Sequence, residues 1–302
     1  MKKGKIIVVG GAGFIGSHLV DALVAREYDV HVIDNFSRGK RDNLNPSATL
    51  HELDIRNLEA IKPVFSEAQA VFHLAALARV GYSIEYPLET HDVNVNGTLN
   101  VLIAARDAKV SRFVYSASSS AYGDQPVMPL VETMAANPQS PYGLHKYIGE
   151  QYSRVFSEVF GLPTVSLRYF SVYGPRFNNE GAYSLVIGKF FSCLKEGKPM
   201  PVTGDGSNVR DYTHVRDVVR ANILAMESDA VGMGEVFNIG AGHGYSVNEL
   251  TRMIGGSVEY IPERLEPKKT LADNRKAREL LGWVPEISLP DGIEELKKLY
   301  LA

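Results

Sequence analysis

Seven residues near the amino terminus, Gly10-Gly11-Ala12-Gly13-Phe14-Ile15-Gly16, constrain this chain more than any other segment. They follow the β-branched run Ile6-Ile7-Val8-Val9 and open an amphipathic stretch, Phe14–Arg26. Glycine reaches backbone conformations closed to other residues and leaves room for close approach. Between a strand and a helix, such a turn brings backbone N–H groups up to a diphosphate, and the helix N-terminus adds partial positive charge. The next strand-like run ends at Asp34, 18 residues beyond Gly16. A carboxylate there accepts hydrogen bonds from the adenosine ribose hydroxyls and repels a 2′-phosphate, which favours NAD over NADP. Gly10, Gly13, Gly16 and Asp34 are therefore read as part of a dinucleotide site.

Short apolar runs alternate with helical patterns through the first half. Strands are expected at Lys5–Gly10, Asp29–Asp34, Thr49–Leu53, Ala70–Leu74, Arg112–Ala117 and Thr164–Phe170, with helices near Phe14–Arg26, Asn57–Glu67, Glu89–Ala108 and Tyr142–Phe160. This alternation predicts an α/β fold, a Rossmann-like doubly wound parallel sheet with helices on both faces. After Tyr173-Gly174-Pro175 glycine, proline and aromatics become frequent, yet Glu235–Ile239 reads as one more buried strand. The expectation is a dinucleotide domain over 1–172, to which strand 235–240 returns, and a smaller, interleaved substrate domain over most of 173–302. Ile148, Tyr152, Val155, Phe156 and Val159 form an apolar stripe that can pack on the sheet or pair two subunits, and a homodimer is the favoured reading.

Thirty-two Lys plus Arg stand against 35 Asp plus Glu, with 45% hydrophobic residues, which argues against a general nucleic-acid grip and against disorder. No apolar run is long enough to span a membrane, the glycines break any signal-peptide pattern, and the lone Cys193 fits a reducing compartment, so a cytoplasmic location is expected. The eight histidines show no zinc-type spacing, and no metal site is expected. His73 reads as a packed strand-end histidine.

A second constellation supplies chemistry. Tyr142-Gly143-Leu144-His145-Lys146 sets a phenol and an ammonium four residues apart, on one face of a helix that starts after Pro141. A free tyrosine titrates near 10, so a phenolate at neutral pH needs its pKa lowered by about three units, roughly 4 kcal/mol. A neighbouring lysine ammonium and an oxidised nicotinamide both favour that ionisation. Tyr142 then takes the proton of a sugar hydroxyl as hydride leaves the same carbon, and Ser118, just past the fifth strand, assists at the reacting oxygen. Ser119 and Ser120 read as turn serines.

These residues resemble the extended short-chain dehydrogenase/reductase family, specifically nucleotide-sugar 4-epimerases of the UDP-glucose/UDP-N-acetylglucosamine type. The likeness runs through the glycine fingerprint, Val32-Ile33-Asp34-Asn35, Asp54-Ile55-Arg56-Asn57, His73-Leu74-Ala75-Ala76 and Asn94-Val95-Asn96-Gly97-Thr98. It continues in Ser140-Pro141-Tyr142-Gly143, Leu167-Arg168-Tyr169-Phe170, Arg210-Asp211-Tyr212-Thr213-His214-Val215 and Leu280-Leu281-Gly282-Trp283. The resemblance implies that Phe14, Ile15, Asp34, Asn35, Ser37, Gly39, Asp54, Ile55, Leu74, Ala75, Ala76, Asn94, Ser116 and Phe170 surround NAD, and that Lys146 also binds the nicotinamide ribose. It implies Arg210 on the substrate diphosphate, where a guanidinium fork matches phosphate oxygens. Three departures stand out. Ser171 replaces an asparagine that contacts substrate, a cation expected at Ala78 comes one place later as Arg79, and an Arg-Pro-Gly-Asp segment reads Pro262-Glu263-Arg264-Leu265-Glu266-Pro267. Arg264 is assigned to phosphate and Glu266 to a ribose hydroxyl. Thr270 takes the position that gates the sugar pocket, and its small side chain leaves room for a 2-acetamido group.

The implied activity is C4 epimerisation of UDP-sugars through a 4-keto intermediate with NAD regenerated each cycle; a UDP-hexuronate 4-epimerase is an alternative. A 4,6-dehydratase or a decarboxylase needs an acid and a base beside Ser118, where this chain has Ser119 and Ser120. A silent NAD-binding module would be expected to lack Tyr142 or Lys146, and both are present.

Overall fold

A computed structural model describes residues 3–177, 185–263 and 267–301. Seven strands form one sheet: β1 (Lys3–Val9), β2 (Tyr28–Ile33), β3 (Thr49–His51), β4 (Ala68–His73), β5 (Arg112–Ser118), β6 (Thr164–Tyr169) and β7 (Met233–Ile239). Their order is β3-β2-β1-β4-β5-β6-β7, and every neighbouring pair is parallel. Strand order reverses between β1 and β4, the place where an open α/β sheet parts its loops and leaves a crevice. Ile6 to Val9 are wholly enclosed because helices cover both faces. One apolar cluster joins β1 and β2 to Leu19, Val20 and Leu23 of α1 (Phe14–Ala25), and a second on the other face joins β4 and β5 to Val101, Leu102 and Ala105 of α2 (Thr98–Asp107).

The expected strands are all present within a few residues of their bounds, and the returning strand lies parallel to β6. Two expected helices differ. Asn57–Glu67 is a short α-turn, Leu58–Ile61, followed by a 3₁₀ turn, Lys62–Phe65, because Pro63 has no N–H to continue an α-helix. Glu89–Ala108 is helix Pro87–His91, a π-turn over Asp92–Gly97 and then α2.

Helix α3, Pro141–Phe160, begins where Ser140 Oγ accepts the Gly143 N–H at 3.1 Å and ends at Gly161, whose φ of 67° is left-handed. From the apolar stripe its sheet-facing side takes Phe156, with Tyr152 partly buried against the same cluster. Lys146, Gly149, Glu150, Ser153 and Ser157 are buried, whereas Val159 remains 66% exposed. Gly149 lets α3 come close, since a Cβ there would stand 2.2 Å from the Tyr115 hydroxyl. Glu150 then meets Arg168 of β6 in a buried two-pronged ion pair, both bonds 2.7 Å. Helix α4, Val215–Glu227, crosses back from β6 to β7.

The smaller C-terminal part has its own apolar cluster around Phe190, Met200, Leu250 and Ile293. Short ribbons knit it together: Val209–Asp211 pairs antiparallel with Gly244–Ser246, and Met200–Thr203 pairs parallel with Val258–Ile261. No helix among the described residues is long and apolar enough to cross a membrane.

Candidate active site

The crevice at the β1/β4 switch is lined by Gly10, Gly13, Asp34, Asn35, Ser37, Gly39, Asp54, Ile55, Leu74, Ala75 and Ala76, eleven of the expected cofactor residues. Its floor demands glycine. Gly10 has φ of 85°, and a Cβ on it would stand 2.6 Å from the Ala75 nitrogen; one on Gly16 would stand 2.1 Å from the Gly10 carbonyl. The first N–H groups of α1 have no partners within the helix and face the same turn. Asp34 closes the far end. Its carboxylate accepts the N–H of Ala12 at 2.9 Å and of Phe36 at 2.8 Å, and burial pushes its pKa up. Asn35 donates to Asp54 at 3.0 Å, and the Arg56 guanidinium holds the Asp54 carboxyl down at about 2. The cradle, the buried donors and the end carboxylate fit a dinucleotide.

Several expected contacts sit elsewhere. The Phe14 side chain lies in a second cleft with Arg38, Arg176, Phe177 and Tyr300, and the Ile15 side chain packs against the apolar cluster of β1 and β2. Asn94 lies in the π-turn, and its amide clamps Leu77, accepting its N–H at 2.8 Å and donating to its carbonyl at 3.2 Å. It shapes the crevice wall through Leu77. Phe170 is wholly enclosed with Tyr122, Leu130 and Ala272, behind the site. Ser116 is buried, its hydroxyl 3.1 Å from that of Tyr169 and its carbonyl accepting Lys146 Nζ at 2.7 Å.

At the carboxyl end of β5 the Ser118 side chain stands near enough to the Tyr142 phenol to favour its ionised form. Burial pushes the phenol up; the Ser118 hydroxyl and the Arg79 guanidinium pull it back. Lys146, enclosed one turn later, is pushed down to about 7 by burial alone. The Arg79 guanidinium is a second cation acting on the Tyr142 phenol, beyond the helical lysine expected from the sequence. Ser118 and Ser120 hydroxyls are bonded to one another. His73 is enclosed, bonds Thr98 at 2.8 Å and is held neutral by burial, its pKa about 3.

The residues expected to meet substrate lie after β6 and in the C-terminal part. Ser171, with φ of 25°, follows Phe170 directly. Arg210 is half-buried and donates to the carbonyls of Val209 at 2.9 Å and Lys268 at 3.4 Å, and the Thr270 N–H bonds Val209 at 3.0 Å. Behind them, Asp211 ties three segments by accepting the N–H groups of Ala241, Gly242 and Ala272. Arg264 and Glu266 lie outside the described residues. Ile33, Arg38, Leu53, Leu77 and Val93 also line the crevice and carry no site assignment from the sequence. The strand-end position of Leu53 and the position of Leu77 after His73-Leu74-Ala75-Ala76 were the available signals.

Fold and crevice together define an α/β protein of the dinucleotide-binding type. The model of the NAD dependent epimerase/dehydratase family matches residues 6–240, and the chain belongs to that family. It is similar to a UDP-glucose 4-epimerase from Thermotoga maritima solved with UDP-glucose, at 40% identity over 98% of this chain and 99% of that one, TM-score 0.92. A UDP-N-acetylglucosamine 4-epimerase from Methanobrevibacter ruminantium in complex with UDP-N-acetylmuramic acid is 35% identical over 99% and 100% of the chains, TM-score 0.92. A UDP-glucuronic acid 4-epimerase from Bacillus cereus with UDP-glucuronic acid and NAD is 33% identical over 98% and 100%, TM-score 0.89.

Proposed function

We propose that this protein is an NAD-dependent UDP-sugar 4-epimerase that interconverts UDP-glucose with UDP-galactose, and UDP-N-acetylglucosamine with UDP-N-acetylgalactosamine. The observation that carries this reading is the convergence of Tyr142, Ser118 and an enclosed Lys146 at the carboxyl end of β5, where the Ser116 carbonyl accepts Lys146 Nζ. Gly10, Gly13, the first turn of α1 and Asp34 would hold the dinucleotide, and Lys146 its nicotinamide ribose. When bound, that group supplies reversible hydride acceptance at the sugar's C4. Tyr142 takes the 4-hydroxyl proton and returns it, and Ser118 bridges the phenol and the reacting oxygen. The resulting 4-keto sugar has to present its other face before it is reduced, so a firm grip on the nucleotide with few contacts to the sugar suits the reaction. Arg210, Arg264 and Glu266 would give the grip, while the short side chains of Ser171 and Thr270 leave the sugar room.

The division of labour follows: residues 1–172 with strand 235–240 serve the cofactor, and most of 173–302 serves the nucleotide sugar. The hydroxyls of Ser119 and Ser120 cannot act as the acid and base of a 4,6-dehydratase at neutral pH, which favours epimerisation. We also propose a homodimer, because Ile84, Leu88 and Val159 are 62%, 87% and 66% exposed. Sedimentation as a monomer at micromolar concentration removes that part. The activity is tested by incubating the NAD-loaded protein with UDP-glucose, UDP-N-acetylglucosamine and UDP-glucuronate, with products resolved by NMR. The reading expects the two C4 epimers of the first two sugars. Turnover of the uronate alone overturns the substrate assignment, and a 4-keto-6-deoxy product overturns the reaction.

A further inference from the structure

Arg79 follows the crevice wall Leu74–Leu77 and immediately precedes a short helix, Val80–Glu85. One enclosed serine locks that helix to the start of α3. Ser83 Oγ accepts the Tyr142 N–H at 3.0 Å and donates to the Val80 carbonyl at 2.7 Å, while the Ser83 N–H bonds the Arg79 carbonyl at 2.9 Å. The backbones of Arg79 and Tyr142 are thus fixed against each other through a single residue.

The guanidinium of Arg79 is half-buried; burial works most against its charge, the Tyr142 phenol favours it and Arg38 opposes it. Among the described residues no ion pair or hydrogen bond engages it. The carboxylates nearby are committed elsewhere: Glu89 accepts from Tyr82 at 2.7 Å, and Glu85 is bonded to Tyr86. Arg38 lies 4.6 Å from the Tyr82 ring centre. On the sheet side, Tyr142 faces Ser118 and the enclosed phenol of Tyr115, and Lys146 Nζ is spent on the Ser116 carbonyl, 5.1 Å from the Tyr115 ring centre. A half-buried cation without a counter-ion carries a desolvation cost that a nearby anion relieves.

We infer that Arg79 is the positioning cation of the Tyr142 base: the phenolate is its missing counter-ion, and the pair shares the ionisation otherwise ascribed to the helical lysine. This rests on the reading of Tyr142 as the proton acceptor. An opposite charge within a few ångströms moves a pKa by about one to three units. Loss of the cation raises the phenol's pKa, so the acid limb of the rate profile moves to higher pH.

The test is the pH dependence of kcat for UDP-glucose with NAD-loaded wild type, Arg79→Met, Arg79→Gln and Arg79→Lys. The neutral variants are expected to shift the acid limb up by about one pH unit, about tenfold in rate on that limb, with recovery at high pH. Arg79→Lys is expected to keep the limb near its wild-type position. Should the methionine variant not fold, the glutamine variant reads the same limb. An unshifted limb, or a uniform loss at every pH, overturns the inference. Tyr142→Phe separates the two levels: if it is inactive while Arg79→Met is unshifted, Arg79 fails and the Tyr142 reading stands; if it is fully active, the Tyr142 reading itself fails.

Discussion

Burial drives two titratable groups in the first turns of α3 toward their neutral forms: the Tyr142 phenol is pushed up and the Lys146 ammonium down to about 7. The lysine makes a linkage prediction. Its folded pKa is below its unfolded value near 10.4, so between the two the unfolded chain binds more protons. Stability without cofactor is therefore lowest, from this group, below pH 7, and recovers as pH rises toward 10. Urea unfolding of wild type and Lys146→Met should show the difference moving toward wild type by up to about 1.4 kcal/mol per pH unit in that window. A difference independent of pH would mean that Lys146 keeps its charge throughout. Thr270 carries a specificity prediction. Thr270→Tyr is expected to abolish turnover of the N-acetylated pair and spare the plain hexoses, as read by product ratios; equal loss on both would remove the gating role.

At the scale of elements, the approach of α3 to the sheet positions the chemistry. Gly149 faces the Tyr115 hydroxyl, so Gly149→Ala has to push the helix outward or displace that ring. Overpacking of this kind costs about 1–3 kcal/mol, and a displacement of about 1 Å at a reacting group can cost a hundredfold in rate. Denaturant unfolding and kcat should both fall; wild-type values for both would show that the close approach is dispensable. The strands were legible because Ile6–Val9, Val71-Phe72 and their like are apolar on both faces. The buried face of α3 was legible only at Phe156, because most of its contacts are made by glycine, serine, Lys146 and one buried ion pair, a pattern that hydropathy reads as solvent-facing. Helix α4 left a usable signal in Val215, Val218, Val219, Asn222 and Ile223, spaced i, i+3, i+4, i+7, i+8, all buried.

For the whole molecule, one crevice collects what the sequence scatters. The switch between β1 and β4 brings the glycine turn, Asp34 and the 74–77 wall together, and β5 and α3 deliver Ser118, Tyr142 and Lys146 to the same carboxyl edge. These residues were legible because each stands at a strand end or in a motif with its own spacing. Arg79 was legible as a residue, but its link to the start of α3 depends on Ser83 bonding a residue 59 positions away, which no local pattern encodes. Phe14 and Phe170 were assigned by resemblance to the cofactor, yet both rings pack away from the crevice, where apolar contact is more favourable than an open groove.

The claim on which everything converges is that the Tyr142 hydroxyl moves the proton in a reversible oxidation of the substrate. Tyr142→Phe removes one oxygen and leaves the ring, so NAD content should match wild type and report that the fold and the cradle are intact. Measured by NMR on UDP-glucose, its kcat should fall at least about a hundredfold. Epimerisation at the wild-type rate by a variant with a full complement of NAD would contradict the account.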